Sequence, residues 1–302
     1  MKALYDVPAP AKLNLFLHIT GRRPDGLHLL QSVFMLIDWC DTLHFEPRAG
    51  GALTREDLGT PLPPDDLVLR AARCLQLASG TTQGAHIAIE KRVPAQAGLG
   101  GGSSDAATCL LALNRLWGLG FSISRLAGIG LTLGADVPFF LGGRNAWVEG
   151  IGERLTPLEL PAGRFAVVKP LQGLATGLVF NDAQLKQSTD AAIISGFAAS
   201  PYAESERNAF EDFRKNPFGY GRNDLQPVAQ RLCPGVTQAL QWLDSQGLAA
   251  RMTGSGSAVF AQMPQDKVLQ AAPADCQVRE CGNLEAHPLV GWAPSDDSSV
   301  GG

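Results

Sequence analysis

The chain has 302 residues, 45% of them hydrophobic and 18% charged, with a formal net charge of -4. That is long and apolar enough for a sizeable core in one large or two medium domains. No block of lysine or arginine stands out, which argues against a nucleic-acid partner and leaves an anionic ligand to be held by a few placed cations and amides. The opening segment MKALYDVPAP lacks an apolar core of leader length, and no later run is long and apolar enough to cross a bilayer. The expected location is therefore the cytoplasm, with no membrane partner. Six scattered cysteines, none in a CxxC pair, read as reduced structural thiols and not as a zinc set, so no protein-held metal is expected.

In chain order, the segment from Ala11 to Ile19 alternates. Leu13, Leu15, Leu17 and Ile19 fall on one side, with Lys12, Asn14, Phe16 and His18 on the other. This predicts a strand with one apolar face. Turn chemistry follows in GRRPDGLH, and LLQSVFMLIDWCDTLHFEP reads as one or two strands. A helix is predicted to open at Pro64 and Asp65, with Leu67, Ala71, Ala72 and Leu75 on one face. Ala85 to Pro94 alternates again and enters a glycine run, after which a helix is expected from about Ser104 to Trp117. Ser124 to Gly143 reads as a broken helical stretch ended by Pro138 and the Gly142–Gly143 pair, and RNAWVEGIGERLTPL reads as a hairpin.

A change of domain is expected near Pro161 to Gly163. It divides the chain into an amino-terminal domain, 1–162, and a carboxy-terminal domain, 163–292. The remainder, 293–302, has little to bury and is expected to be a disordered tail. In the second domain RFAVVKP reads as a strand and ATGLVFNDAQ as the start of a helix. Ser188 to Gly221 is polar and reads as helices joined by loops. NDLQPVAQRLCPGVTQALQWLDSQG reads as helical, AARMTGSGSAVFAQM as strand, glycine turn and strand, and PQDKVLQAAP as a short helix.

Gly98, Gly100, Gly101 and Gly102 stand at the mouth of a helix. The first amides of a helix have no partner within it, and the helix dipole makes them attractive to an anion. Glycine lets that anion approach the bare backbone, and Ser103 and Ser104 add hydroxyl donors and a natural cap. The chemistry this suggests is phosphate binding. The Walker pattern fails because Gly102, not lysine, precedes Ser103. The dinucleotide fingerprint fails because Ser103 stands where its third glycine belongs.

At these residues the chain resembles the GHMP small-molecule kinases. GLGGGSSDAA is similar to their central motif, PAPAKLNLFLHI to their amino-terminal motif and MTGSGSAVFAQ to their carboxy-terminal glycine motif. More narrowly, AKLNLFLHITGRRPDGLHLLQSVF, LGADVPFFLGG and RNDLQPVA resemble the branch that phosphorylates a cytidine-diphosphate-linked methylerythritol. The resemblance implies an α+β, two-lobed GHMP kinase fold with the active site in the interdomain cleft. It also implies ATP with Mg2+ as the phosphoryl donor, a small cytidine-diphosphate-linked substrate, and a monomer or weak homodimer.

Carried over position by position, the resemblance makes Lys12 and Asp136 the catalytic pair, with Asp136 taking the proton of the acceptor hydroxyl. It gives ATP binding to Pro94, Ala95, Gln96, Ala97, Gly98, Leu99, Gly100, Gly101, Gly102, Ser103 and Ser104. Ser104 is also the candidate hydroxyl contact for magnesium. Substrate binding falls to Asn14, His28, Thr176 and Phe180, with His28 bonding the cytosine and Phe180 stacking on it. Gly254, Ser255 and Gly256 form a third glycine loop, and Asn223 and Asp224 lie near the wall of the site. Blander readings stand beside these. Asp136 also reads as a helix cap, Lys12 as a solvated strand lysine, His28 as a turn residue and Phe180 as core. Gly254 and Gly256 also read as a plain turn, and Asn223 and Asp224 as a helix cap completed by Gln226.

Two departures from the family pattern matter. Leu27 stands where a tyrosine usually precedes the histidine, which predicts a weaker grip on the base. Gln96 and Ala97 stand where glycine is commoner. The rival functions are another GHMP kinase acting on homoserine, mevalonate or a sugar, and a non-catalytic ATP-binding sensor.

Overall fold

A computed structural model describes residues 2–185 and 213–296. Two sheets organise it. The first joins β1 (Leu4–Arg22), β2 (His28–Arg48), β3 (Leu53–Asp57), β4 (Gly84–Glu90), β5 (Ala146–Glu149) and β6 (Arg154–Pro157) in the order β3-β4-β2-β5-β6, with β1 paired antiparallel to β2. Four helices belong to this half: α1 (Leu67–Ser79), α2 (Gly101–Leu116), α3 (Ile123–Leu133) and α4 (Val137–Gly142). The second sheet is antiparallel. Its strands are β7 (Arg164–Pro170), β8 (Ala250–Met252), β9 (Val259–Met263) and β10 (Cys276–Gly282), in the order β10-β7-β9-β8. It is accompanied by α5 (Thr176–Phe180), α6 (Gln226–Leu232) and α7 (Pro234–Ser245). The architecture is α+β, as expected.

The expected apolar face of β1 is split. Leu13, Leu15 and Phe16 pack with Val33, Met35, Phe165, Val167 and Phe260 in a core between the two sheets. Leu17 and Ile19 instead join the larger core beneath the helices. The β1–β2 register shifts between Pro10 and Lys12 and again between Asn14 and Leu17. Each such bulge changes which face the following side chains occupy. Both faces are covered, so Lys12, Asn14, Phe16 and His18 are buried rather than solvated.

Other expectations are corrected locally. Helix α2 begins at Gly101, not Ser104, and its cap is Gly100 in the left-handed region (φ 72°) with no side-chain cap bond. Pro138 opens α4 instead of ending a helix, since the first turn tolerates a missing amide hydrogen. The segment PQDKVLQAAP forms no helix. Val268 is 81% exposed there, so a helix would have no apolar face to bury. Strand β10 had no clear alternating signal. The single strand β2, the β5–β6 hairpin and the β8–turn–β9 unit match expectation.

The last described stretch returns to the first half. Asn283 pairs with Ile37, the Leu284 amide donates to Leu36 O (2.9 Å), and the Ile123 amide donates to Pro294 O (3.0 Å). Ala293 is buried at the start of the expected tail, and 297–302 lie outside the described residues. Most of the stretch from Ser188 to Gly221 also lies outside them. Among the described residues no helix is long and apolar enough to cross a membrane.

Candidate active site

A cavity of about 560 Å³ opens between the two sheets, walled by the glycine run, β1, the turn before α4, α5 and the β8–β9 turn. Strand β1 delivers Lys12 and Asn14 to its floor. The Lys12 ammonium is bonded to Asn14 Oδ1, lies 3.6 Å from Asp136 Oδ2, and sits 4.7 Å from the centre of the Phe34 ring. Burial pushes this ammonium below the ordinary lysine range, and Asp136 offsets part of the shift. Asp136 precedes α4 but makes no capping bond, and its side chain is 31% exposed. Asp136 thus holds the cap position of α4 without using its side chain as a cap, and the carboxylate is free to meet a hydroxyl in the cavity.

The glycine run forms the roof. The carbonyls of Gln96 to Gly100 are all turned toward the protein. Gln96 O accepts from the Leu174 and Ser257 amides, Ala97 O from the Ala258 amide, Leu99 O from the Lys12 amide and Gly100 O from the Ser104 amide. Thr253 Oγ1 donates to Gly98 O at 3.5 Å. The first-turn amides of α2 have no acceptor within the helix and are available to an anion. Gly98 is required by space, and Gly100 is favoured by its positive φ of 72° and close neighbours. A Cβ on Gly98 (φ 74°) would lie 2.2 Å from Thr253 O, and one on Gly100 would press on Phe140 and Lys12. Gln96 also adopts positive φ, 52°, where glycine would be unstrained, so the loop keeps its path despite the departure in sequence.

Of the residues expected to bind ATP, Pro94 to Ser103 line the cavity. Ser104 does not: its Oγ is buried without a partner. Gly254 and Ser255 line it too, while Gly256 lies just behind. Leu225 flanks α6 directly, and Asn223 Oδ1 accepts from the Leu225 amide (2.9 Å), so Asn223 caps the turn that leads into the helix. Its Nδ2 donates to Met252 O (2.9 Å) and Gly254 O (2.8 Å), which fixes the third glycine loop. Asp224 accepts from the Ile19 amide and Gln226 from the Met252 amide.

At the far end, Phe180 and Thr176 on α5 face the cavity, and Thr176 Oγ1 and Ser255 Oγ share a hydrogen bond of 2.8 Å across it. His28 sits beside Phe180, ring centres 5.7 Å apart, with Nε2 bonded to Phe180 O at 3.1 Å. A carbonyl can only accept, so Nε2 carries the hydrogen and Nδ1 of the neutral ring is an acceptor. Nδ1 is buried without a partner. Leu27 is 47% exposed beside it, apolar and open.

Sequence reasoning missed a second lysine. Lys91, at the end of β4, bonds Asp105 Oδ2 on α2 (2.5 Å) and Asp41 Oδ2 on β2. Asp41 Oδ1 also accepts from the Arg92 amide (2.5 Å) and the Val93 amide (2.7 Å). Burial works against the Lys91 ammonium, but the two acids outweigh it and hold it above the ordinary range. The Glu90 and Thr42 pairing of β4 with β2 brings these residues together, a contact that sequence spacing does not disclose.

The sequence pattern described as GHMP kinases N terminal domain matches residues 66–144, and that described as GHMP kinases C terminal matches residues 202–276. With the glycine loop, the buried lysine and the facing aspartate in one cleft, the chain belongs to the GHMP kinase family. Among its relatives is the 4-diphosphocytidyl-2-C-methyl-D-erythritol kinase of Albidiferax ferrireducens, 67% identical over 301 residues, which are 100% of this chain and 99% of that one. The protein of the same name from Variovorax paradoxus is 67% identical over 297 residues, covering 97% and 100% of the two chains. A crystal structure of 4-(cytidine 5'-diphospho)-2C-methyl-D-erythritol kinase is similar at a TM-score of 0.69 and 34% identity, covering 91% of this chain and 98% of that one. A homoserine kinase from Cytophaga hutchinsonii, at 17% identity and a TM-score of 0.60 over 84% and 89% of the two chains, shares the fold.

Proposed function

We propose that this chain transfers the γ-phosphoryl group of ATP to the 2-hydroxyl of 4-diphosphocytidyl-2-C-methyl-D-erythritol, a step of the non-mevalonate route to isoprenoid precursors. The observation that carries the reading is the placement of Lys12 and Asp136, 3.6 Å apart, in the cavity roofed by the glycine loop. The first-turn amides of α2 cradle the phosphates. Asp136 accepts the hydroxyl proton as the oxygen attacks, and the Lys12 ammonium offsets charge on the transferring group. Phosphoryl transfer asks mainly for positioning and charge neutralisation, and a buried ammonium is worth more there than a solvated one.

The base end favours cytosine. The 4-amino group of cytosine donates; His28, beside Phe180 but not itself among the residues lining the cavity, would offer Nδ1, which has no partner among the described residues, once the base enters. Uracil would turn a carbonyl oxygen toward that same lone pair. Phe180 supplies a stacking face on the cavity, while Leu27, 47% exposed and not a cavity-lining residue, offers no second aromatic wall.

Magnesium arrives with the nucleotide. Among the described residues no group of three or more His, Cys, Asp or Glu is placed to hold a cation, and Ser104 Oγ lies outside the cavity wall. The donor set does not fit a protein-held ion; a divalent ion brought in with the nucleotide would be held by phosphate oxygens and water. The phosphate loop and catalytic pair belong to a domain of 1–162 and the base-binding residue Phe180 to one of 163–292. The enzyme works in the cytoplasm as a monomer or weak homodimer, without nucleic acid.

The test is ADP release with 4-diphosphocytidyl-2-C-methyl-D-erythritol, run beside Asp136→Asn. Turnover by the parent, a loss of about a hundredfold or more in the variant, and competition by cytidine but not uridine nucleotides are expected. Turnover with homoserine or mevalonate instead would move the chain to another branch, and ATP binding with no ADP from any alcohol would make it a sensor.

A further inference from the structure

We infer that Ser32 is a positioning residue for the catalytic lysine, fixing which end of the Asn14 amide meets the Lys12 ammonium. This rests on the functional reading above and adds a residue to its machinery. An amide is nearly the same shape either way round, and a buried one turned the wrong way would present NH2 to an ammonium. The structure removes that choice.

Asn14 pairs with Phe34 and Leu17 with Ser32, so the strand bulges between them and Leu15 and Phe16 lie off the ladder. Their carbonyls are taken by side chains. Leu15 O accepts from Arg251 (2.9 Å), and Phe16 O accepts from Ser32 Oγ (2.5 Å). The carbonyl has no hydrogen to give, so the Ser32 hydroxyl must spend its own there. Its oxygen then has only lone pairs to offer, and Asn14 Nδ2 donates to them at 2.9 Å. The other end of the amide, Oδ1, is thereby aimed at Lys12 Nζ. Ser32 and Asn14 are both essentially inaccessible, so no water substitutes.

The groups that face Lys12 are few. Asp136 faces it from the turn before α4, the Phe34 ring from β2, and the backbone at Gly100 from the glycine loop. Among the described residues Asp136 is the charged one acting on it. Without the Ser32 oxygen the amide is left with an unpaired NH2 or turns that NH2 on Lys12. Either outcome withdraws support from the ammonium.

The experiment is Ser32→Ala, with kinetics and with NMR titration of lysine labelled at Cε. The Lys12 midpoint is expected to fall by roughly one pH unit, the alkaline limb of kcat to follow it, and kcat to drop at least about tenfold while KM for ATP stays within about twofold. An unchanged Lys12 midpoint, or a rise in KM with kcat intact, overturns the inference. Should the variant not fold, the parent decides: the Asn14 Nδ2 hydrogens are expected to show Overhauser contacts to Ser32 Hβ, and contacts to Lys12 Hε in their place overturn it. Titration and Overhauser contacts need no substrate. Failure of the parent to turn over would sink the functional reading and leave this one to be judged separately.

Discussion

Two lysines flank the glycine loop. A Cβ on Gly100 would touch Lys12, and a Cβ on Gly101 would lie 3.5 Å from the Lys91 ammonium. Lys12 has one carboxylate, at 3.6 Å and partly exposed, and its ammonium is held below the ordinary range first by burial. Lys91 has two buried carboxyl groups, those of Asp41 and Asp105, in direct contact and is held above that range. On the function proposed above, the difference separates a charge kept for the reaction from a charge consumed by the scaffold. An under-compensated buried ammonium costs stability but is drawn to any anion entering the cleft, whereas a fully paired one has nothing left to give.

Replacing each lysine by methionine is the sharpest way to break that contrast. Lys12→Met is expected to lower kcat by about a thousandfold with the melting temperature held or raised, measured by ADP release and calorimetry. A matching loss of stability would erase the distinction. Lys91→Met is expected to do the reverse. It leaves Asp41 and Asp105 facing each other in the interior, costs about 3 kcal/mol, and raises KM for ATP more than it lowers kcat. Denaturant melts and saturation kinetics check both parts.

The contrast also has a pH signature. In the parent, the alkaline limb of kcat should lie below the usual lysine range, because burial lowers the Lys12 pKa. A limb at the ordinary lysine value would mean that Lys12 is better compensated than its surroundings indicate. The smallest effect concerns Asp105, whose carboxyl is pushed up to about 8 by burial, against Lys91 and with help from Asp41. Its folded-state pKa is raised, so the folded chain keeps a proton that the unfolded chain releases above about pH 4. Its contribution to stability is full below that pH and is lost as pH rises toward 8. Asp105→Asn removes this titration, and the melting temperature is expected to decline less between pH 4 and pH 8. An unchanged slope would mean that Asp105 is ionised throughout.

The lysine proposed to be catalytic was legible and the lysine that holds the scaffold was not. Lys12, Asp136 and the glycine loop sit in contiguous motifs, so a reader of the sequence finds them one at a time. Asp41, Lys91 and Asp105 are assembled by strand register, and each alone resembles an ordinary charged residue. The same holds for Ser32, which reaches Asn14 through a bulge that also splits the apolar face of β1. The start of α2 was placed three residues late because serine is a good cap by rule, while the chain uses a left-handed glycine there. The helix expected after β9 failed for the opposite reason: favourable local composition had no surface to cover.

The tight approach of Gly98 to Thr253 has a consequence for dissecting the molecule. The donors that keep Gln96 O and Ala97 O out of the nucleotide's way come from Leu174, Ser257 and Ala258. A fragment stopping at residue 162 would own every glycine of the motif yet lack the clasp that shapes it, and the complementary fragment would carry the clasp with nothing to grasp. Nucleotide affinity is expected to appear only when the two pieces are reunited.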